Sequence, residues 1–135
     1  MSAKVGKKFV DFSMNNSMTG TKTKLKDIAA QGKPVVVVVY SSETVDSAPA
    51  LQALEDHALS HKHIEFVALN VEDDVAATRA YIQEQGIRNC LCFNGKIPKG
   101  YDIQEGRLPY HIVLDESGKV LLMSEDAFSY IDLVK

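Results

Sequence analysis

The chain has 135 residues, 45% of them hydrophobic and 24% charged, and a formal net charge of −3 at pH 7. A chain of this size buries roughly two-thirds of the surface its unfolded form exposes, and no repeat or low-complexity tract divides it, so one globular domain over 1–135 is expected. The acidic balance gives no electrostatic reason to expect nucleic acid as a partner, and no apolar run approaches the roughly 20 residues that span a bilayer.

In chain order, Met1–Lys8 is short and polar and lacks the apolar segment of a secretory signal. That leaves the compartment open between the cytosol and a mature chain whose leader has been removed. Phe9–Ser13 is rich in strand formers and predicts a short strand; Asn15, Asn16, Ser17 and Gly20 turn the chain back so that Thr21–Lys24 pairs with it. Lys22, Lys24 and Lys26 form a small basic stripe, followed at once by Asp27, which reads as a solvated edge. Leu25–Gln31 predicts one or two helical turns stopped by Gly32 and Pro34.

Val35–Val39 is the clearest element: five β-branched residues without alternation mark a strand covered on both faces. Ala48–Ser60 carries Leu51, Leu54, Ala58 and Leu59 at helical spacing, with Ser47 as its expected N-cap and Pro49 in the first turn. Ile64–Val71 predicts a second buried strand. Asp73 or Asp74 caps a helix through Gln85 that Gly86 closes. Cys90–Phe93 is a short extended piece ending at the turn signal Asn94-Gly95. Tyr110–Leu114 and Val120–Met123, joined by Asp115–Lys119, predict an antiparallel hairpin, and Asp126–Val134 a last short helix. Two βα units followed by a ββα tail give an α/β sandwich with a mixed sheet.

Three separated segments resemble one family. Gly6–Gln31 is similar to the N-terminal approach of thiol-disulfide oxidoreductases and peroxiredoxin relatives, where G-x-x-x-P-D-F leads into G-x-x-x-x-L-x-D, with Val10 in place of the proline. Gly32–Tyr40 (GKPVVVVVY) resembles their first core strand. Tyr101–Val120 (YDIQEGRLPYHIVLDESGKV) resembles Y-x-V-x-x-x-P-T-x-F-L-I-D-x-x-G-K-V, and the piece around Cys90–Phe93 matches the insertion of the TlpA/ResA-like branch. The resemblance spans essentially the whole chain. It implies a thioredoxin-like three-layer α/β/α sandwich with a central mixed β-sheet, related to the AhpC/TSA and TlpA/ResA-type proteins, and it suggests an extracytoplasmic home if a leader has been lost. It also implies that Pro109 is a cis-proline, with the Leu108 backbone facing a peptide groove; without it, a trans proline opening an edge strand would be the expectation.

The reactive Cys-x-x-Cys pair of that family is missing. Counting forward from Pro34 aligns it with Thr44 and Ser47; counting backward from Pro49 aligns it with Ser41 and Thr44. Neither register holds sulfur. Thiol exchange needs an attacking thiolate and a resolving thiol, and an unassisted hydroxyl supplies neither. Activation of Ser47 would take an adjacent base, for which His111, just after Pro109, is the candidate histidine. The chain's two cysteines, Cys90 and Cys92, share one face of a strand. They read either as small apolar core residues or as a relocated redox pair.

His57, His61 and His63 sit near a helix end, where the dipole favours them; a zinc site would need further ligands. Glu72, Asp73 and Asp74 are explained by helix capping. No cofactor or metal is therefore expected. Three functions stay in play. The first is an accessory or binding module that takes an extended peptide or protein in a groove formed by Tyr40, Leu108, Pro109 and Tyr110. The second is a divergent thiol-disulfide oxidoreductase or antioxidant reductase working through Cys90 and Cys92. The third is a purely structural domain of a longer chain.

Overall fold

A computed structural model describes residues 1–71, 74–125 and 130–135. Its strands are β1 (Ser13–Asn16), β2 (Lys22–Lys24), β3 (Val35–Tyr40), β4 (Glu65–Asn70), β5 (Leu91–Asn94), β6 (Tyr110–Leu114) and β7 (Val120–Ser124); its helices are α1 (Leu25–Ala29), α2 (Ser47–Ser60) and α3 (Val75–Gln85). The strands form one sheet in the order β2-β1-β5-β4-β3-β6-β7. β3, β4 and β5 run parallel, and β6, β7, β1 and β2 are joined by antiparallel pairing. Among the described residues no helix is long and apolar enough to cross a membrane.

The valine run behaves as its composition demands. Val35–Val39 and Tyr40 are all fully buried, and β3 sits between β4 and β6. Its odd-numbered valines join a core with Leu25 and Ile28 of α1, and its even-numbered ones a second core with Leu51 and Leu54 of α2 and Ile82 of α3. Such a strand cannot alternate polar with apolar residues, because both faces are dry. The β3-α2-β4-α3-β5 path steps in one direction across the sheet, which lays both crossover helices on the same face. The result is the expected three-layer sandwich.

Four local expectations are corrected. Phe9–Ser13 is not the first strand, which begins at Ser13. Phe9, Val10 and Phe12 are half-buried against the core, but their backbone is held elsewhere: Phe9 N–H donates to Gly118 O at 2.9 Å and Val10 N–H to the Tyr101 hydroxyl at 3.0 Å. The aromatic spacing signalled burial rather than pairing. Gly118, at φ +87°, is required there, since a Cβ would stand 3.0 Å from the Phe9 ring. Asn15 and Asn16 belong to β1, and the reversal starts only where the Asn16 side chain accepts from Met18 and Thr19 N–H.

The third and fourth corrections concern α2 and β5. Asp46, not Ser47, is the N-cap of α2, and it makes no side-chain capping bond. Cys90 precedes β5, which runs on through Asn94. Elsewhere the signals held: the Asp74 carboxylate caps α3 by accepting from Ala76 and Ala77 N–H, and Gly86 closes it at φ 70°. β6 and β7 form the antiparallel hairpin. Of the expected final helix over Asp126–Val134, the described part contains a 3-10 turn at Tyr130–Leu133. Asp126–Ser129, Glu72 and Asp73 lie outside the described residues.

Candidate functional site

β3 delivers the loop of residues 41–46 to the edge of an open groove of about 660 Å³, lined by Ser41, Glu43, Thr44, Val71, Glu105, Gly106 and Leu108. The loop is wound by its own bonds: Glu43 N–H donates to Ser41 Oγ at 3.3 Å, Thr44 N–H to Ser41 O at 3.0 Å and Ser47 N–H to Thr44 O at 3.1 Å. The far wall is the 3-10 turn Glu105–Arg107 followed by Leu108. The Leu108–Pro109 bond is cis. Leu108 is extended, at φ −97° and ψ 151°, and its backbone takes no hydrogen bond among the described residues. Val45, at the loop's apex, is 88% exposed.

Of the hydroxyl positions, Ser41 and Thr44 face this groove together. Ser47 does not: it is fully buried in the first turn of α2, and its Oγ has no hydrogen-bond partner among the described residues. It is therefore not paired with His111, whose ring stacks on Tyr130 with centroids 5.5 Å apart. Tyr40 also turns from the groove, because its position in β3 puts the ring on the helix-covered face, where it stacks on Tyr81 at 5.7 Å. Tyr110 points to the other face; its hydroxyl donates to Tyr101 O at 3.0 Å and it lines an adjoining hollow beside the Arg107–Glu125 pair.

The thiols are remote. Both pack against the second core, so they do share a face, and both are free. Cys92 stands opposite Ala68, Ala68 opposite Val38, and Val38 opposite His111. Three strand spacings therefore separate Cys92 from β6, about 14 Å. Neither sulfur takes the place of the missing pair beside Pro109.

What surrounds the thiols favours their protonated form. Glu55, buried on α2, accepts from Asn89 N–H at 2.9 Å, from Asn89 Nδ2 at 2.7 Å and from Cys90 Sγ at 3.5 Å. Burial alone would raise this carboxyl, but the Asn89 donors and the Arg88 backbone outweigh it and hold it below its ordinary value. Its charge and, above all, burial drive both thiols the other way: Cys90 is pushed far up and Cys92 up to about 12. Reactive cysteines need the reverse setting. Sequence reading missed Glu55; its signal was a carboxylate set inside the apolar stripe Leu51, Leu54, Ala58. It also missed Glu43 and Glu105, which come to line one groove only when the loops are folded together.

The histidines join by ring contact: His57 lies 5.9 Å from His61 and 5.4 Å from Tyr130, and His61 lies 6.2 Å from His63. Among the described residues no group of three or more potential ligands is placed to hold a metal ion.

The backbone is similar to known ones. A thiol:disulfide interchange protein of the thioredoxin family from Chlorobium tepidum superposes with a TM-score of 0.73 at 15% identity, covering 98% of this chain and 94% of that one. A secreted disulfide oxidoreductase from Mycobacterium tuberculosis, homologous to E. coli DsbE, gives 0.71 at 17% identity over 90% of each chain. A thioredoxin-like protein from Aeropyrum pernix gives 0.72 at 14% identity over 91% of this chain and 85% of that one. These likenesses establish a thioredoxin-like fold. No curated protein sequence matches. The AhpC/TSA family model matches residues 5–123.

Proposed function

The chain belongs to the AhpC/TSA family, and we propose that within it this protein is a binding or accessory module without dithiol chemistry, taking an extended peptide in the groove beside Leu108. One observation carries the reading: the groove keeps its two walls and an unbonded stretch of extended backbone, yet its loop presents Ser41 and Thr44 where exchange would need sulfur. Extended backbone with free N–H and C=O groups is what an added strand pairs with. Leu108 and Pro109 form the peptide-facing wall, with Ser41, Thr44 and Val45 opposite; Tyr40 and Tyr110 act from behind, by holding β3 and β6 in place.

Gly106 supplies the test. Nothing stands within 4 Å of a Cβ built there, and its backbone needs no left-handed conformation. Gly106→Trp therefore fills the groove without disturbing the core. Peptides selected on the wild-type protein from a random library should lose at least tenfold in affinity for this variant, with circular dichroism unchanged. Equal affinity for both proteins defeats the proposal. The competing reductase reading draws support from the two sulfurs lying on one face, and is answered by insulin reduction with dithiothreitol. It requires turnover that disappears in the Cys90→Ser, Cys92→Ser double variant.

A further inference from the structure

The helix layer stops short of one end of the sheet. On that face α2 packs over β3 and β4 and α3 over β5, while α1, the helix that contacts β2, belongs to the opposite core. Two uncovered strands leave a shelf about 10 Å wide, close to the diameter of one α-helix. Where α3 meets the β1–β2 turn, the shelf becomes a groove of about 430 Å³ with an apolar floor of Ile82, Ile87 and Met18 between Arg79 and Arg88. Met18 is 64% exposed, an adaptable apolar side chain left facing solvent.

The charge here runs against that of the molecule. The chain is acidic and has three arginines. Arg107 is paired with Glu125 at 3.1 Å, whereas Arg79 and Arg88 form no ion pair among the described residues. Arg79 Nε donates to Ser17 O, which fixes the guanidinium and leaves its terminal nitrogens for a carboxylate. Lys22 and Lys24 extend the same field. Met14 belongs to the opposite core and pairs with Thr23, so alternation places both lysines on the helix-bearing face. Glu84, the nearby carboxylate of α3, lies on that helix's other side, beside Tyr81, whose hydroxyl is raised by burial and secondarily by the Glu84 charge. Among the described residues no carboxylate lines the groove, and Glu55 and Asp56 line the adjoining hollow on the far side of Arg88.

We propose that this shelf docks an acidic amphipathic helix of a partner protein, laid beside α3 as the next member of the helix layer. Its apolar stripe packs on the exposed Met18, where the edges of the core residues Ile82 and Ile87 reach the groove, and its carboxylates meet Arg79, Arg88 and the two lysines. The apolar floor favours such a helix over nucleic acid, which offers no matching surface. This site is separate from the groove at Leu108 and does not depend on it.

A synthetic helix of roughly 18 residues, with Glu on one face and Leu on the other, is the probe, and a twin with Lys for Glu is its control. Amide NMR titration should cluster the shifts on the Met18 turn and on Arg79–Arg88. The Lys22→Glu, Arg88→Glu variant, altered only at exposed side chains, should bind about tenfold more weakly; Met18→Glu gives the same loss by a different route. The proposal is overturned by equal binding of the Lys twin, by unchanged affinity of either variant, or by shifts gathered instead at Leu108. An oligonucleotide that binds the shelf more tightly than the probe also overturns it.

Discussion

At the scale of single residues, chemistry is decided by what surrounds Cys90 and Cys92. Burial raises both thiols most, and the Glu55 charge beside them adds to it. With the Cys92 thiol at about 12 instead of 9.0, its thiolate population at neutral pH falls about a thousandfold. Iodoacetamide should accordingly label neither cysteine of the folded protein on a timescale that fully labels both in urea. Rapid labelling of the native protein would show a thiol environment unlike this one. The sign of the linked stability follows: the folded state favours the protonated thiol, so that contribution is whole below pH 9.0 and is lost as the pH climbs towards 12.

At the scale of elements, the two crossover helices start differently. α3 begins with a working cap, Asp74 accepting from Ala76 and Ala77 N–H at 2.9 and 3.2 Å. α2 begins at Asp46 with none. Asp74→Ala should cost about 1 kcal/mol in urea unfolding, and Asp46→Ala much less. Equal costs would mean that the α2 start is also tied down by its side chain. The difference suits the groove, because the loop feeding α2 is wound by short-range bonds around Ser41 and Thr44, including the one that the Ser41 hydroxyl accepts from Glu43 N–H, and leaves Val45 exposed.

At the scale of the whole molecule, the thioredoxin-like scaffold carries a groove whose described lining contains no cysteine. β3 is buried on both faces, the crossover sets α2 behind it, and the hairpin of β6 and β7 brings Leu108 and Pro109 against the loop. Restoring sulfur should therefore restore chemistry. The Ser41→Cys, Thr44→Cys variant sets a Cys-x-x-Cys pair on the groove, and with dithiothreitol as electron donor it should reduce insulin. The thiolate attacks the insulin disulfide, the second cysteine releases the product, and dithiothreitol re-reduces the pair. The wild-type protein should show no turnover above the reagent alone. A folded variant that stays inactive would mean that these positions do not correspond to the family's pair.

Much of the fold was legible because its strongest signals are local. The run Val35–Val39 has no amphipathic period to satisfy, Asp74 and Gly86 bracket α3 by capping and left-handed geometry, and the Asp115–Lys119 turn ties two short strands together. The absence of sulfur at 41–47 is likewise a property of the chain as written. Other features belong to the folded state. Phe9–Phe12 pairs with no strand, since its partner is Tyr101, some ninety residues away. Tyr40 faces Tyr81 and not the groove because strand parity, set by where the sheet begins, assigns its side. Glu55 meets Asn89 and Cys90, and Arg79 meets Ser17, only after the sheet has ordered its strands. A single chain states which residues prefer to be buried or capped; which distant charges and thiols share a low-dielectric neighbourhood is settled by the packing that brings them together.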